Sequence, residues 1–289
     1  MFRFIHSSDL HLGKRFGAFS GDLPGRLREA RHGVIGRLAR HAREQGADAI
    51  LLAGDTFDAE TPAPDVRRQA LAEMRDHASI RWVLLPGNHD SLQASPLWTA
   101  LGAEAPDNVT LAVEPKPIQL ADGVVLLPAP CTTRRPGRDL TEWMDGEATP
   151  EGALRIGLAH GAIHGFSEEQ TAADVIAPDR ARRAGLAYLA LGDWHGPLEV
   201  DARTRYSGAP EPDRFKHDRP GEALLIALAG PSALPEATRL ETGDFVWRTL
   251  PLHLLEGDDP EAALAALLPE SGRRRRTLAR VATTGFARL

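Results

Sequence analysis

Short apolar runs recur along the chain, and most of them end abruptly in a polar or glycine-containing loop. Amphipathic helical patterns lie between the first of these runs, over residues 27–42 with Gly46 as a stop, over residues 65–77, and after Ser95-Pro96. Apolar strands that alternate with amphipathic helices are typical of a layered α/β fold with strands buried on both faces. The runs that we interpret as such strands are residues 2–6, 48–53, 82–85, 154–159 and 188–191.

The pattern changes in the later part of the chain. Residues 117–130 predict a hairpin that turns at Asp122-Gly123. Strand-like runs follow over residues 222–229 and 239–252. We expect the second of these runs to fold back near Gly243-Asp244, where glycine and aspartate favour a turn.

A short helix over residues 260–268, a basic run over 273–276 and a last strand-like stretch complete the chain. No repeat of solenoid period and no low-complexity tract is present. We therefore expect one large α/β domain over residues 1–241 and a small appendage over residues 242–289.

The amino-acid composition is typical of a folded protein and indicates the kind of cellular compartment that suits it. The 289 residues are 42% hydrophobic and 26% charged, which is ordinary for a soluble protein with a sizeable core. The single cysteine, Cys131, excludes an intrachain disulfide framework and fits a reducing compartment. No signal-sequence pattern and no membrane-length apolar run is visible, so we expect a soluble, cytoplasmic protein.

The formal net charge of -6 bears on possible partners. It argues against a protein that holds nucleic acid by bulk electrostatics. It does not exclude a local basic groove, and bound divalent metals would add positive charge that the count omits.

Residue types that ligate metals are concentrated where the predicted strands end. In open α/β sheets, ligands bind outside the carboxyl ends of the strands, so we expect these five loops to converge in one crevice. Each motif alone is more often a turn or a cap, and their coincidence supports a site. The residues are Asp9 and His11, Asp55, Asn88 and His89, His160, and Asp193 with His195.

The chemistry of these side chains suits a pair of metal ions. Two cations about 3.5–4 Å apart need a bridging anion, and Asp55 is the natural candidate. Asp9 and His11 can reach one ion, because alternate residues of an extended segment point the same way. Carboxylate, amide and imidazole ligands without thiolate favour manganese or iron. Asp58 is expected to orient the Asp55 loop.

The motifs Asp-x-His, Gly-Asp-x-x-Asp, Gly-Asn-His-Asp, His and Gly-Asp-x-His resemble, in that order, those of the calcineurin-like metallophosphoesterases over roughly residues 1–210. That resemblance implies a layered β-sandwich flanked by helices. The stretches FRFIHSSDLHLGKRF and YSGAPEPDRF look more narrowly like the SbcD-type nuclease subunit of bacterial DNA-repair complexes.

The resemblance also implies roles for single residues. His89 would be a non-ligand histidine that stabilises or protonates the leaving oxygen, with Asp90 orienting its ring, while a metal-bridging hydroxide attacks phosphorus. The implied ligands are Asp9, His11, Asp55 and His195 for one metal, and Asp55, Asn88, His160 and Asp193 for the other.

One position departs from the family's pattern, since the family usually has His where this chain has Asp193. Two divalent ions, three carboxylates and one hydroxide sum to zero charge, whereas two carboxylates would leave one positive charge. We therefore expect weaker attraction for an anionic diester or a shifted metal preference. The alternative is that Asp193 is not a ligand and holds His195.

The leading interpretation is a manganese-dependent DNA exonuclease and endonuclease of DNA repair. The arginines Arg134, Arg135 and Arg138 follow a predicted strand end and are candidates for contacts with DNA phosphates. The resemblance further implies a homodimer and an SbcC-type ATPase partner.

Two other functions stay open on the sequence. One is a phosphatase or phosphodiesterase for small molecules, which the acidic net charge favours. The other is a metal-binding scaffold with weak catalysis that serves a partner ATPase, which Asp193 favours and His89 opposes.

Overall fold

A computed structural model describes residues 1–163, 175–216 and 218–285 of the chain. The described part contains two large β-sheets, one two-stranded sheet and seven α-helices, with one 3-10 helix at Glu142–Asp145. The helices are α1 (Leu23–His32), α2 (Val34–Gln45), α3 (Pro64–Arg75), α4 (Ser95–Glu104), α5 (Arg180–Arg183), α6 (Pro260–Leu267) and α7 (Ser271–Arg274). The strands are β1 (Phe2–Ser7), β2 (Ala49–Leu52), β3 (Arg81–Leu84), β4 (Val109–Leu111), β5 (Ile118–Ala121), β6 (Val124–Ala129), β7 (Leu154–His160), β8 (Ala162–Ile163), β9 (Val175–Ile176), β10 (Tyr188–Gly192), β11 (Leu198–Glu199), β12 (Thr204–Tyr206), β13 (Pro220–Leu228), β14 (Glu236–Leu254) and β15 (Thr277–Gly285).

Parallel pairing brings the carboxyl ends of the central strands to one edge. The first sheet has the order β15-β14-β13-β1-β2-β3-β4, and β1 to β4 are parallel to one another. The second sheet has the order β11-β12-β10-β7-β6-β5, and β6, β7, β10 and β12 are parallel. Parallel strands buried on both faces explain the near-continuous apolar runs in the sequence.

The two sheets pack face to face and helices cover their outer faces. Phe4 and Leu51 of the first sheet lie in one cluster with Leu126 and Leu158 of the second. Ile5, the neighbour of Phe4, points to the opposite face, because successive side chains of a strand alternate. There the first sheet packs on α2, α3 and α4, while α5 and the 3-10 helix cover the second sheet. The predicted layered β-sandwich flanked by helices is confirmed.

The helix predicted over residues 27–42 is two helices, α1 and α2, which meet at Gly33. The prediction of one helix was wrong because the apolar positions serve two different clusters. Leu27 of α1 packs with Phe16 and Trp247, whereas Leu38 of α2 packs against the first sheet.

The predicted fold-back near Gly243-Asp244 was also wrong, because β14 continues through this point as a 19-residue strand. Its pairing with β13 is irregular there, and the register shifts between Pro220 and Glu222. The backbone N–H groups of Asp244 and Phe245 donate to the buried Glu211 carboxylate, which replaces the ladder bonds that a bulge removes. The sequence showed the turn residues but not this distant acceptor.

The predicted hairpin is confirmed as β5 and β6, and Cys131 is buried. Strand β14 crosses the expected boundary after residue 241, which stays a prediction. Of the helices that the structure describes, none combines the length and the apolar character needed to cross a bilayer. His164 and His217 lie outside the described residues.

Candidate metal centre

The five loops predicted to converge do so at the shared edge of the two sheets. Hydrogen bonds between main chains join the first two loops directly: the Asp9 N–H donates to the Gly54 carbonyl, and the His11 N–H donates to the Asp55 carbonyl at 2.9 Å. The Gly161 N–H donates to the Gly192 carbonyl and joins the two loops of the second sheet. The loops therefore extend the parallel pairing of their strands beyond the sheets.

Strained main-chain geometry marks four of the candidate ligands. Their φ angles are 56° at Asp9, 45° at His11, 53° at Asp55 and 100° at Asp193. Residues other than glycine seldom adopt positive φ, and such strain persists mainly where a functional site requires it. The loops thus hold these side chains in orientations that an unstrained turn would not provide.

Two glycines leave the space that the site needs. A Cβ at Gly87 would lie 2.2 Å from Asp55 Oδ1, and one at Gly192 would lie 2.0 Å from the Ala53 carbonyl oxygen. Neither approach is possible for a residue with a side chain.

Asp9, His11 and His195 form one half of the centre. The two imidazole Nε2 atoms are 3.3 Å apart, and Asp9 Oδ1 lies 3.9 Å from His11 Nε2 and 3.8 Å from His195 Nε2. These three ligand atoms lie within 4.8 Å of one another, which is close enough to hold one ion.

Asp55 lies between this half of the centre and a second half, which contains His160, Asp193 and Asn88. Its Oδ2 atom is 3.6 Å from His11 Nε2 and 3.5 Å from His160 Nε2. Asp193 Oδ1 lies 3.8 Å from His160 Nε2 and accepts a hydrogen bond from the Asn88 side chain at 3.1 Å. The carboxylate predicted to bridge two ions thus lies between the two groups of ligand atoms.

Among the buried polar atoms that have no hydrogen-bond partner in the described part of the chain, three face the candidate metal positions. They are Asp9 Oδ1, Asn88 Oδ1 and His160 Nε2. Buried polar atoms are normally satisfied, and an oxygen or imidazole nitrogen left without a donor is suited to a cation. The residues present therefore fit a pair of divalent ions.

The electrostatics of the centre also favour added positive charge. Burial, together with the charges of Asp90 and Asp9, raises the pKa of Asp55 well above its usual value. Burial lowers the pKa of His160, but the carboxylates of Asp55 and Asp9 raise it to about 9. Crowded carboxylates that draw a proton onto a buried imidazole are a site that a metal cation would stabilise.

His89 is half-buried next to the centre. Its Nδ1–H donates to the Asp58 carbonyl at 3.1 Å, and its main-chain N–H donates to Asp55 Oδ1. The predicted contact between Asp90 and the His89 ring was wrong. The Asp90 carboxylate instead accepts hydrogen bonds from the N–H groups of Phe57 and Gly87, so it fixes the loops after β2 and β3.

Several groups that support the centre were not predicted. The Ser8 hydroxyl donates to Asp9 Oδ2 at 2.6 Å. Asp58, expected to orient the Asp55 loop, lies 3.2 Å from His11 Nδ1 instead. Asp213 accepts a hydrogen bond from His195; burial raises the pKa of Asp213, but this bond and the charge of Arg31 lower it far below its usual value. Asp213 was visible only as part of the YSGAPEPDRF stretch.

Arg134, Arg135 and Arg138 are exposed in the segment that follows β6. This segment leaves the same edge of the sheets, since the Cys131 thiol lies 3.4 Å from the His160 carbonyl oxygen. The arginines are not among the residues that line the centre.

Known proteins share this sequence pattern. The family model for calcineurin-like phosphoesterases matches residues 2–229. A Rhodobacter capsulatus protein, named as the D subunit of nuclease SbcCD, is 26% identical over 80% of this chain and 67% of its own length. Its namesake from Bacillus subtilis is 26% identical over 79% of this chain and 66% of its length. The chain thus spans about two thirds of these relatives.

Solved structures share the fold at low sequence identity. The crystal structure of TT1561 of Thermus thermophilus has a TM-score of 0.52 at 10% identity, over 83% of this chain and 99% of that one. Purple acid phosphatase PPD1 from yellow lupin seeds has a TM-score of 0.53 at 13% identity, over 82% of this chain and 51% of that one.

Replacing Gly87 with alanine should disrupt the centre. The new methyl group would meet Asp55 Oδ1 and the Asp55 nitrogen, so the loops must separate. We expect the free energy of unfolding to fall by ~1–3 kcal/mol and Mn²⁺ binding, measured by calorimetry, to weaken. Gly102→Ala on α4 is the control, because nothing lies within 4 Å of its added methyl group. Equal Mn²⁺ affinity in both variants would contradict the close approach.

Proposed function

The chain belongs to the calcineurin-like phosphoesterase family, and we propose that it is a two-metal phosphodiesterase that cleaves DNA. One observation supports the proposal above the others. The buried Asp55 Oδ2 lies at nearly equal distances from His11 Nε2 and His160 Nε2, which is the place of a bridging ligand between two ions.

The proposed ligands form the two groups that the measured distances between their atoms define. Asp9, His11 and His195 would hold one ion, Asn88, His160 and Asp193 the other, and Asp55 both. Bound divalent ions would supply charge neutralisation at the phosphate and a lowered pKa for water. Oxygen and imidazole ligands without thiolate favour manganese or iron, and manganese is the ion proposed here.

His89 is proposed to protonate the leaving oxygen. The Asp58 carbonyl can only accept, so the Nδ1 atom of His89 holds a proton and Nε2 faces away from that bond. The His89 and His11 ring centroids are 4.8 Å apart, which places the ring against the centre. In its doubly protonated form the ring can give the Nε2 proton to the leaving oxygen without occupying a ligand position.

DNA is the proposed substrate, and DNA repair is the proposed process. The relatives named for nuclease SbcCD support this choice, and the exposed arginines Arg134, Arg135 and Arg138 offer contacts for phosphates. An SbcC-type ATPase partner and a homodimer are proposed on the same relatives' name and on the resemblance of the sequence. The chain spans about two thirds of the length of these relatives, so both assemblies are proposals.

Replacing His89 tests its proposed role as the proton donor. With Mn²⁺, the protein should degrade labelled DNA, and His89→Ala should lower the rate by ~10²–10⁴-fold, as expected for loss of a general acid. Mn²⁺ affinity should change little, because His89 is not a proposed ligand. Single- and double-stranded DNA and a chromogenic phosphodiester would be compared with Mn²⁺, with Mg²⁺ and with chelator.

His253→Ala is the matched control, since His253 is exposed on β14 and contacts Thr284. Turnover of the small diester without any DNA cleavage would instead indicate a small-molecule phosphodiesterase. Bound Mn²⁺ without either activity would indicate a metal-binding scaffold, and both results would contradict the nuclease.

Replacing the arginines after β6 tests their proposed contacts with DNA phosphates. Changing Arg134, Arg135 and Arg138 to glutamine should weaken duplex binding and make the salt dependence less steep by ~0.9 for each phosphate that the variant no longer neutralises. The control changes Arg273, Arg274 and Arg275, which are exposed around α7, and removes the same charge. Fluorescence anisotropy at several salt concentrations would measure both. Equal weakening in the two variants would indicate bulk charge and not a local groove.

Asp193 is the position that departs from the family's pattern. Asp193→His and Asp193→Asn both remove a negative charge beside the proposed phosphate position. A unit charge at 4 Å contributes about 4 kcal/mol at an effective dielectric of 20, so we expect KM for DNA to fall roughly tenfold or more. Steady-state kinetics with Mn²⁺ and with Mg²⁺ would show this. An unchanged KM and metal preference in both variants would contradict the charge argument.

A further inference from the structure

The outer nitrogens of His11 and His195 each face a carboxylate. Asp58 Oδ1 lies 3.2 Å from His11 Nδ1, and Asp213 Oδ1 lies 3.3 Å from His195 Nδ1. The inner Nε2 atoms of the same rings are 3.3 Å from each other. Both rings therefore have a carboxylate behind them and the candidate metal position in front.

Lys14 links the two carboxylates. Its Nζ atom lies 2.8 Å from Asp213 Oδ2 and 3.7 Å from Asp58 Oδ1. A continuous series of polar contacts therefore runs from His11 through Asp58, Lys14 and Asp213 to His195. The series connects the loop after β1 with the loop after β10, two segments about 180 residues apart in sequence.

Asp213 is the better buried of the two carboxylates, with 2% of its side chain exposed. Besides His195 and Lys14, it pairs with Arg214 Nε at 2.9 Å, and Arg214 Nη2 in turn lies 3.1 Å from His195 Nδ1. The buried Arg31 joins the surrounding segments, because it donates to the carbonyls of Leu10 and Glu211. A carboxylate held in this way has little freedom to leave His195.

The other two histidines of the centre are oriented differently. His160 Nδ1–H donates to the Ala53 carbonyl at 2.8 Å, and His89 Nδ1–H donates to the Asp58 carbonyl. Main-chain carbonyls hold these rings, so side-chain substitutions cannot remove their acceptors. Only His11 and His195, which share one half of the centre, have acceptors that mutation can test.

A carboxylate behind an imidazole has a known effect on metal binding. It keeps the proton on Nδ1, which leaves the Nε2 lone pair directed to the ion, and it fixes the plane of the ring. Removing such a partner typically costs 10–100-fold in metal affinity.

We propose that Asp213 and Asp58, linked by Lys14, are positioning residues that fix the orientation and tautomer of His195 and His11 for one of the two ions. The inference rests on the proposed function insofar as the centre binds divalent cations. The inference also goes beyond the proposed function. It assigns the network to one half of the centre and predicts that loss of the network changes the affinity for one of the two ions and not for the other.

The test is a titration of the full chain with Mn²⁺, in which binding is measured by calorimetry and by electron paramagnetic resonance. We expect Asp213→Ala to weaken one of two Mn²⁺ sites by roughly 10–100-fold and to leave the other within about threefold. Nitrogen-15 spectra of the histidine rings, recorded without metal, should show His195 shifting away from the Nδ1–H form. A residue with a merely structural role would not change that spectrum selectively.

Asp58→Asn is the second variant, because the Asp58 side chain is 28% exposed and its loss threatens folding less. It should shift the His11 ring signals and weaken the same Mn²⁺ site. Asp218→Asn is the matched control, since Asp218 is half-exposed, pairs with Arg248, and lines the same pocket as Asp213. Its Mn²⁺ affinities and ring spectra should equal those of the unmodified protein.

The outcomes separate this inference from the proposed function. An unmodified protein that binds no Mn²⁺ would overturn both. Two Mn²⁺ ions bound in the unmodified protein, with affinities and ring spectra unchanged in Asp58→Asn and in any folded Asp213 variant, would overturn the positioning network alone. Equal weakening of both sites would also overturn it, because the contacts reach only one half of the centre.

Discussion

The Asp55 carboxylate is the group on which the arrangement of this site depends. Its Oδ2 atom has to lie within 3.6 Å of His11 Nε2 from one loop and 3.5 Å of His160 Nε2 from another, while its Oδ1 accepts the His89 N–H. These contacts come from both sheets, so the sheets must face each other with their carboxyl ends aligned. The close approach of Gly87 to Asp55 and the positive φ of Asp55 follow from the same requirement.

Such a centre is costly, and the layers around it offset the cost. Positive φ at a residue other than glycine costs on the order of 1 kcal/mol or more, and unpaired buried polar atoms add to it. The strands that end at the centre are almost wholly buried in two clusters, so their loops begin from fixed points. Main-chain bonds from Asp9 to Gly54 and from His11 to Asp55 then tie the strained residues together. The rigidity of the sandwich is thus what allows strained loops to persist.

The sequence predicted the inner face of the site well and its outer face poorly. Asp9, His11, Asp55 and His160 were found because ligand residue types follow strand ends, a local signal that parallel topology brings together. Contacts between distant polar residues have no such signal. Lys14 and Asp213, or Glu211 and the main chain of β14, are common residue types whose pairing only the fold reveals. Asp90 was misassigned for the same reason, since its partners are backbone N–H groups of two loops.

The charges behind the centre bear on the departure at Asp193. Asp193 adds one negative charge to Asp9 and Asp55 on the inner side. Behind the rings, the cations Lys14, Arg31, Arg37 and Arg214 are matched in number by the four carboxylates that they contact or face, which are Asp58, Glu211, Asp213 and Asp244. Interactions over such distances are weakened but not removed when the groups are buried. The side chains behind the centre therefore supply no surplus of positive charge for Asp193, and the negative charge that it adds is left to the proposed ions to neutralise.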